Sequence, residues 1–238
     1  IIGGRNIGDK YLANKPPKDF VYDRYIITFN AKQEEDSVMI QMKNYIDQLW
    51  NHPYTNVVFS KLTKRQIEKG EQVRGMLVNQ YKEAKQLKVA FVNPSINWTI
   101  STSPTKRMSF IHNPIERFNK DPFIWKTFID LSEQAKKSIL IQSPYVVPTN
   151  AMEKYVTEKM KSTIDWTILT NSLTSTPNPL AFSGYMGLRD NIVKTGVRLY
   201  EYQKPYSIHA KSVIYDQRLS AVGSFDLDSR STFLNTES

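Results

Sequence analysis

No cysteine occurs among the 238 residues. That excludes disulfide staples and thiolate metal sites, and it leaves the redox compartment open. Histidine is nearly as scarce, with three copies and no clustered metal-ligand spacing. Long apolar runs are missing as well. The longest uncharged stretches, around residues 89–105 and 138–152, are cut by Asn, Ser, Thr and Pro, whereas a membrane span needs about 20 mostly apolar residues. The opening Ile1-Ile2-Gly3-Gly4 has neither an initiator Met nor the composition of a signal peptide. It is expected to be the middle of a longer protein.

Positive charge is in surplus. Lys and Arg total 32 against 23 acids, a formal net charge of +9. Such a field draws anionic lipid headgroups or nucleic acid without selecting between them, and a surplus of this size also serves plain solubility. The length suits one large domain or two small ones sharing a core.

Strands and helices alternate along the chain. Residues 1–4 read as the end of a strand entering a turn, and residues 21–29, rich in β-branched and aromatic side chains, as a strand. Glu34, Glu35 and Asp36 suit a helix N-terminus, with Met39, Met42, Ile46 and Leu49 following at helical spacing. A long charged helix is expected over 63–86, its sparse stripe (Ile67, Leu77, Tyr81) marking an exposed element. A strand over 88–92 stops at Asn93-Pro94. The polar loop 97–105 reads as a linker.

Further on, a helix follows Pro122 with Ile124, Phe128, Leu131 and Ala135 on one face, and a strand covers 138–142. Thr149 is placed to cap a helix carrying Met152, Tyr155 and Val156. Residues 164–169 form a strand and 184–194 a helix stopped by Gly196. Strands at 197–202, 208–215 and 219–222 complete the pattern. This alternation predicts an α/β fold, a mixed β-sheet layered with helices.

The C-terminal run carries the chemistry. His209-Ala-Lys211 is followed by Asp216, then by Gly223-Ser224-Phe-Asp226, and later by Glu237. Residues two apart on a strand share a face, so an imidazole and an ammonium stand side by side, a pairing suited to phosphate. Asp216 falls on the opposite face by parity and is expected to hold the sheet or a neighbouring turn. His52, before Pro53, and His112, in a loop, read as ordinary residues. The four tryptophans and the other aromatics read chiefly as core, with an interfacial anchor as the alternative. Lys204 and Arg218 either line an anionic groove with His209 and Lys211 or are solvated charges.

His-x-Lys-(x)4-Asp-(x)6-Gly-Ser resembles the second signature of the phospholipase D superfamily, in its bacterial cardiolipin synthase-like branch. Three other stretches share the likeness: residues 3–11 (Gly-Gly-Arg-Asn-Ile-Gly-Asp-Lys-Tyr), residues 143–148 (Ser-Pro-Tyr-Val-Val-Pro), and Thr170-Asn171-Ser172-Leu173 with Gly184-Tyr185 and residues 196–201. The resemblance implies a phospholipase D-like fold in which residues 1–85 are the rear of a first half. Residues 86–238 are then most of a second half carrying the complete signature. Two such signatures build one site in that family. This sequence holds one, so the missing His-x-Lys is expected in a preceding segment of the parent chain or, alternatively, in a second subunit.

The resemblance further implies transfer through a phosphohistidine without a metal or other cofactor. One imidazole attacks phosphorus, and the other protonates the leaving alkoxide and then takes a proton from the incoming alcohol or water. His209 would be the acid/base. Lys211 would bind a non-bridging oxygen, as would Ser224 through its hydroxyl and Asn6 through its amide. Glu237 would accept the far ring N–H of His209. Asp226 departs from the family's usual Asn, and a carboxylate about 4 Å from a phosphate repels it by roughly 4 kcal/mol at an effective dielectric near 20. It therefore pairs with Lys211, turns away, or impairs the site. The function expected is a phosphatidyltransferase making cardiolipin from phosphatidylglycerol and a second phospholipid. Its partners would be an anionic phospholipid and a membrane surface, with nucleic acid secondary, and its location cytoplasmic, peripheral to the inner membrane. The alternatives are a hydrolase (phospholipase D or nuclease) and, for this stretch alone, an inactive anionic-lipid-binding module.

Overall fold

The computed structural model describes residues 1–12, 18–30, 37–58, 61–87, 97–116, 120–159, 164–203 and 205–238. In chain order the described elements begin with β1 (Ile2–Gly3), α1 (Asp9–Leu12), β2 (Val21–Tyr22), β3 (Tyr25–Ile26), α2 (Val38–Trp50), α3 (Lys64–Gln86) and α4 (Trp98–Ser101). Next come α5 (Phe123–Gln134), β4 (Ser138–Gln142), β5 (Val146–Val147), α6 (Asn150–Lys159), β6 (Asp165–Asn171) and α7 (Pro179–Lys194). The last are β7 (Arg198–Tyr202), β8 (Ser207–Ile208), β9 (Lys211–Tyr215), β10 (Leu219–Gly223), β11 (Leu227–Asp228) and α8 (Ser229–Phe233). The acids at 34–36, the strand expected over 88–92 and Lys204 lie outside the described residues.

Packing divides the chain into two units, residues 1–39 with 110–238, and residues 40–109. This division differs from the boundary expected at residue 85.

The larger unit is built on a five-stranded sheet in the order β10-β9-β4-β6-β7. β4, β6 and β7 run parallel, while β9 and β10 turn back as an antiparallel hairpin. Register aligns Ile139 with Trp166 and Tyr215, and Ile141 with Ile168 and Val213. Those residues point to one face, as the period of two requires. There they meet Trp125 and Phe128 of α5, Met152 of α6, and Tyr185 and Ile192 of α7 to make the core. Ile139 and Met152 are wholly buried.

Several helix ends follow from sequence. The Thr149 hydroxyl accepts the Met152 N–H at 3.2 Å, the expected N-cap. α7 starts five residues before the apolar run at 184, because Asn178 caps it and Pro179 occupies its first turn. It ends at Gly196, whose φ of +93° suits a residue without Cβ. The strand expected over 21–29 is broken into β2 and β3. In the smaller unit α3 opens on a reciprocal Thr63–Gln66 capping box and buries no residue, in keeping with its sparse apolar stripe. Among the described residues no helix is long and apolar enough to cross a membrane.

Candidate active site

His209 sits where the chain steps from β8 to β9, and the step is held on both sides. Asn171, buried at the end of β6, accepts the Ile208 N–H at 2.8 Å and donates its amide to the Ile208 carbonyl, also at 2.8 Å. One side chain thereby satisfies both backbone groups of a buried residue. On the other side β2 runs parallel to β8, with Val21 opposite Ser207 and Tyr22 opposite Ile208. The His209 N–H donates to the Tyr22 carbonyl at 2.7 Å. The residue after Tyr22 is Asp23, so backbone pairing alone carries its carboxylate to the imidazole.

The Asp23 side chain is fully buried, with Oδ2 2.8 Å from His209 Nδ1 and Oδ1 accepting the Arg24 N–H at 2.7 Å. Burial pushes this carboxyl up. The hydrogen bonds from His209 and the Arg24 backbone, with the charges of His209 and Lys211, outweigh it and hold the group below the usual aspartate value. A carboxylate accepts only, so Nδ1 carries the hydrogen and Nε2 is left for proton traffic.

Lys211 opens β9 on the core-facing side. Its ammonium donates to the His209 carbonyl at 2.8 Å and lies 3.0 Å from Nε2 and 3.1 Å from Nδ1. The two side chains stand side by side, but on no shared strand: His209 lies in the step between β8 and β9 and only Lys211 is on β9. Gly4 packs against this lysine: a Cβ there would come 3.1 Å from Lys211 Cδ and 3.2 Å from the Gly223 carbonyl. The opening glycines therefore lie beside the signature. Burial lowers the Lys211 ammonium, and Asp226, Asp23, Glu237 and Asp228 oppose that without cancelling it.

Asp216 lies just past the end of β9, so it holds a neighbouring turn as expected but not from the opposite strand face. It occupies the β9–β10 turn and accepts backbone N–H groups from Lys136, Lys137 and Ser138 at 2.7–3.1 Å, tying the hairpin to the start of β4. Those bonds, Lys136 first, hold its carboxyl below the ordinary range. Arg218, exposed on the same turn, pairs with it at 3.8 Å.

The remaining expected residues are placed differently. Glu237 makes no bond to His209. Its carboxylate is occupied by its own segment, accepting the Ser224 hydroxyl, the Ser231 hydroxyl at 3.1 Å and the Asn235 amide at 2.9 Å. The ring bond foreseen for it belongs to Asp23, because β2 and β8 pair. Ser224 thus spends its proton on Glu237. Asn6 is exposed and donates to the Tyr11 hydroxyl at 3.2 Å. It reaches the site only through that ring, which stands edge-on to His209 at 5.3 Å. Asp226 pairs with Lys211 at 3.9 Å, the first of the outcomes foreseen for it.

These elements match known proteins. The family model for a cardiolipin synthase, phospholipase D-like domain matches residues 128–238, which contain the whole His209–Asp226 signature. A cardiolipin synthase of Halalkalibacterium halodurans is 26% identical over all of this chain and 39% of its own length. Residues 128–238 belong to the phospholipase D superfamily, in its cardiolipin synthase-like branch.

Cardiolipin synthase C of Escherichia coli is 26% identical over 62% of this chain and 35% of its own length. An uncharacterized protein of Helicobacter pylori is 26% identical over 100% of this chain and 50% of its own length. The chain thus spans half or less of these relatives. Within this phospholipase D-like site, sequence reasoning missed Asp23 and the clamp made by Asn171. One signal was available for Asp23: it is the single acid in the mostly apolar and aromatic run 20–29.

Proposed function

We propose that this protein supplies the second-signature half of a phosphatidyltransferase, most simply one making cardiolipin from phosphatidylglycerol and a second phospholipid. The observation that carries the reading is the His209–Lys211 pair, with Asp23 on Nδ1 and the ammonium beside Nε2. His209 Nε2 gives a proton to the departing glycerol oxygen as the P–O bond breaks, and later takes one from the incoming hydroxyl. Lys211 faces the charge on the phosphoryl oxygens. The attacking imidazole comes from a preceding segment of the parent chain or from a second subunit. The relatives named as cardiolipin synthases support the choice of substrate. The net charge of +9 suits a peripheral position on an anionic membrane surface at the cytoplasmic side of the inner membrane.

The test is product analysis of the full-length protein given labelled phosphatidylglycerol alongside single-stranded DNA. Cardiolipin supports the reading. Phosphatidic acid or cut DNA would replace it with a hydrolase of the same superfamily. Vesicle binding without turnover would leave an anionic-lipid-binding module.

A further inference from the structure

Four carboxylates surround the one ammonium of Lys211: Asp23 of the segment after β2, Asp226 before β11, Asp228 at its end and Glu237 of the C-terminal segment. Among the described residues His209 borders the same group and Lys120 acts on Glu237, so four acids face three basic groups, and burying an uncompensated negative charge is costly. The hydrogen-bond partners show which acid bears that cost. Asp23 has His209 and the Arg24 N–H. Asp228 caps α8 by accepting the Ser231 N–H at 2.7 Å. Glu237 receives three side-chain donors. Asp226 has Lys211 at 3.9 Å from Oδ2 and a hydrogen bond with the Ser143 side chain, and its buried Oδ1 has no partner.

We propose that Asp226 holds the site's surplus proton and donates its O–H to a non-bridging oxygen of a phosphodiester bound at His209 and Lys211. The idea rests on the phosphodiester reading above and deepens it. The geometry allows the contact. Asp226 and His209 are each 14% exposed and both border the Lys211 ammonium, so an anion drawn to that ammonium meets both side chains. As a neutral acid Asp226 attracts the phosphate. As a carboxylate it repels it, and the proton is lost to solvent. The groups that set the balance are Lys211 and the hydrogen bond with Ser143, which favour ionisation, and burial, Asp228 and Glu237, which oppose it; Tyr145 also faces the carboxyl. Burial leads, and the carboxyl is raised to about 7.

The experiment uses dimethyl phosphate, which stays a monoanion across neutral pH, as probe. Its affinity for the chain and for Asp226→Asn is measured from about pH 5.5 to about pH 8.5. In parallel, the Asp226 carboxyl carbon of the native chain is titrated by NMR, its resonance assigned as the one absent from the variant. The native chain should lose affinity by about tenfold per pH unit above neutrality. Asp226→Asn, whose amide donates at every pH, should lack that limb and bind about tenfold more tightly than the native chain at pH 8. A carboxyl carbon titrating near the ordinary aspartate value overturns the proposal. So does a variant that keeps the native pH limb, while leaving the phosphodiester reading intact. Binding by neither protein at any pH would overturn both.

Discussion

At the scale of single residues, two side chains hold the imidazole and a third anchors the turn behind it. Asp23 fixes the ring through Nδ1, so Asp23→Asn should turn a single protonated-Nδ1 tautomer into a mixture, read from the ring nitrogens of His209 by NMR. In the assembled enzyme the same change should lower kcat on the order of 10²-fold, the lower range for a well-placed proton donor. An unchanged tautomer would show that Asp23 does not orient the ring. Asn171 answers two buried backbone groups of Ile208. Asn171→Ala leaves both without partners, at about 1–3 kcal/mol each, and the expected loss of stability in denaturant unfolding is a few kcal/mol. Asp216 has its own pH signature. Its carboxyl is depressed, so its contribution is present above the ordinary value of 3.8 and lost as pH falls through the folded value. Asp216→Ala should therefore lower the melting temperature at neutral pH, and the gap from the native chain should close in acid.

The β9–β10 hairpin shows how an element is shaped by needs outside itself. Asp216 and Gln217 both lie in the left-handed region, at φ of +52° and +56°, and the Arg218 N–H closes the turn on the Tyr215 carbonyl at 2.9 Å. Asn-Gly is the usual chemistry for such a turn. Asp216 is retained because its carboxylate ties the turn to β4; Gln217 has no such task. Gln217→Gly should stabilise the chain by about 1 kcal/mol by removing the left-handed penalty, measured by thermal unfolding; a destabilised variant would mean Gln217 makes a contact that matters. Strand β4 carries the opposite load. Ile139 is fully buried between β6 and β9, and Ile139→Ala should cost about 2–5 kcal/mol through the cavity it leaves.

Over the whole molecule, charge sets how the protein meets its surroundings. A surplus of +9 should make the chain co-sediment with vesicles containing phosphatidylglycerol and not with neutral ones. That binding should weaken as salt shortens the screening length from about 10 Å at 0.1 M to about 3 Å at 1 M. Salt-insensitive binding, or equal binding to neutral vesicles, would show that apolar contacts govern the association instead.

How much of this was legible beforehand depends on the range of the interactions involved. Alternation of apolar residues and cap chemistry announced the strands over 138–142 and 197–202, the N-cap at Thr149 and the stop at Gly196, because each is decided by neighbours within a few positions. The closeness of His209 and Lys211 was legible from their spacing, although His209 lies between β8 and β9, and Asp216 lies in the turn past β9 rather than on a strand face. The partner of His209 was not legible. Glu237 stood in the right segment and Asp23 lay 186 positions away in sequence. Only the parallel pairing of β2 with β8, together with three donors already occupying Glu237, gave the ring to the distant acid. The proton count around Lys211 is of the same kind. The sequence supplies the acids, but which of them keeps an unpartnered oxygen is settled when the chain folds and their other partners are taken.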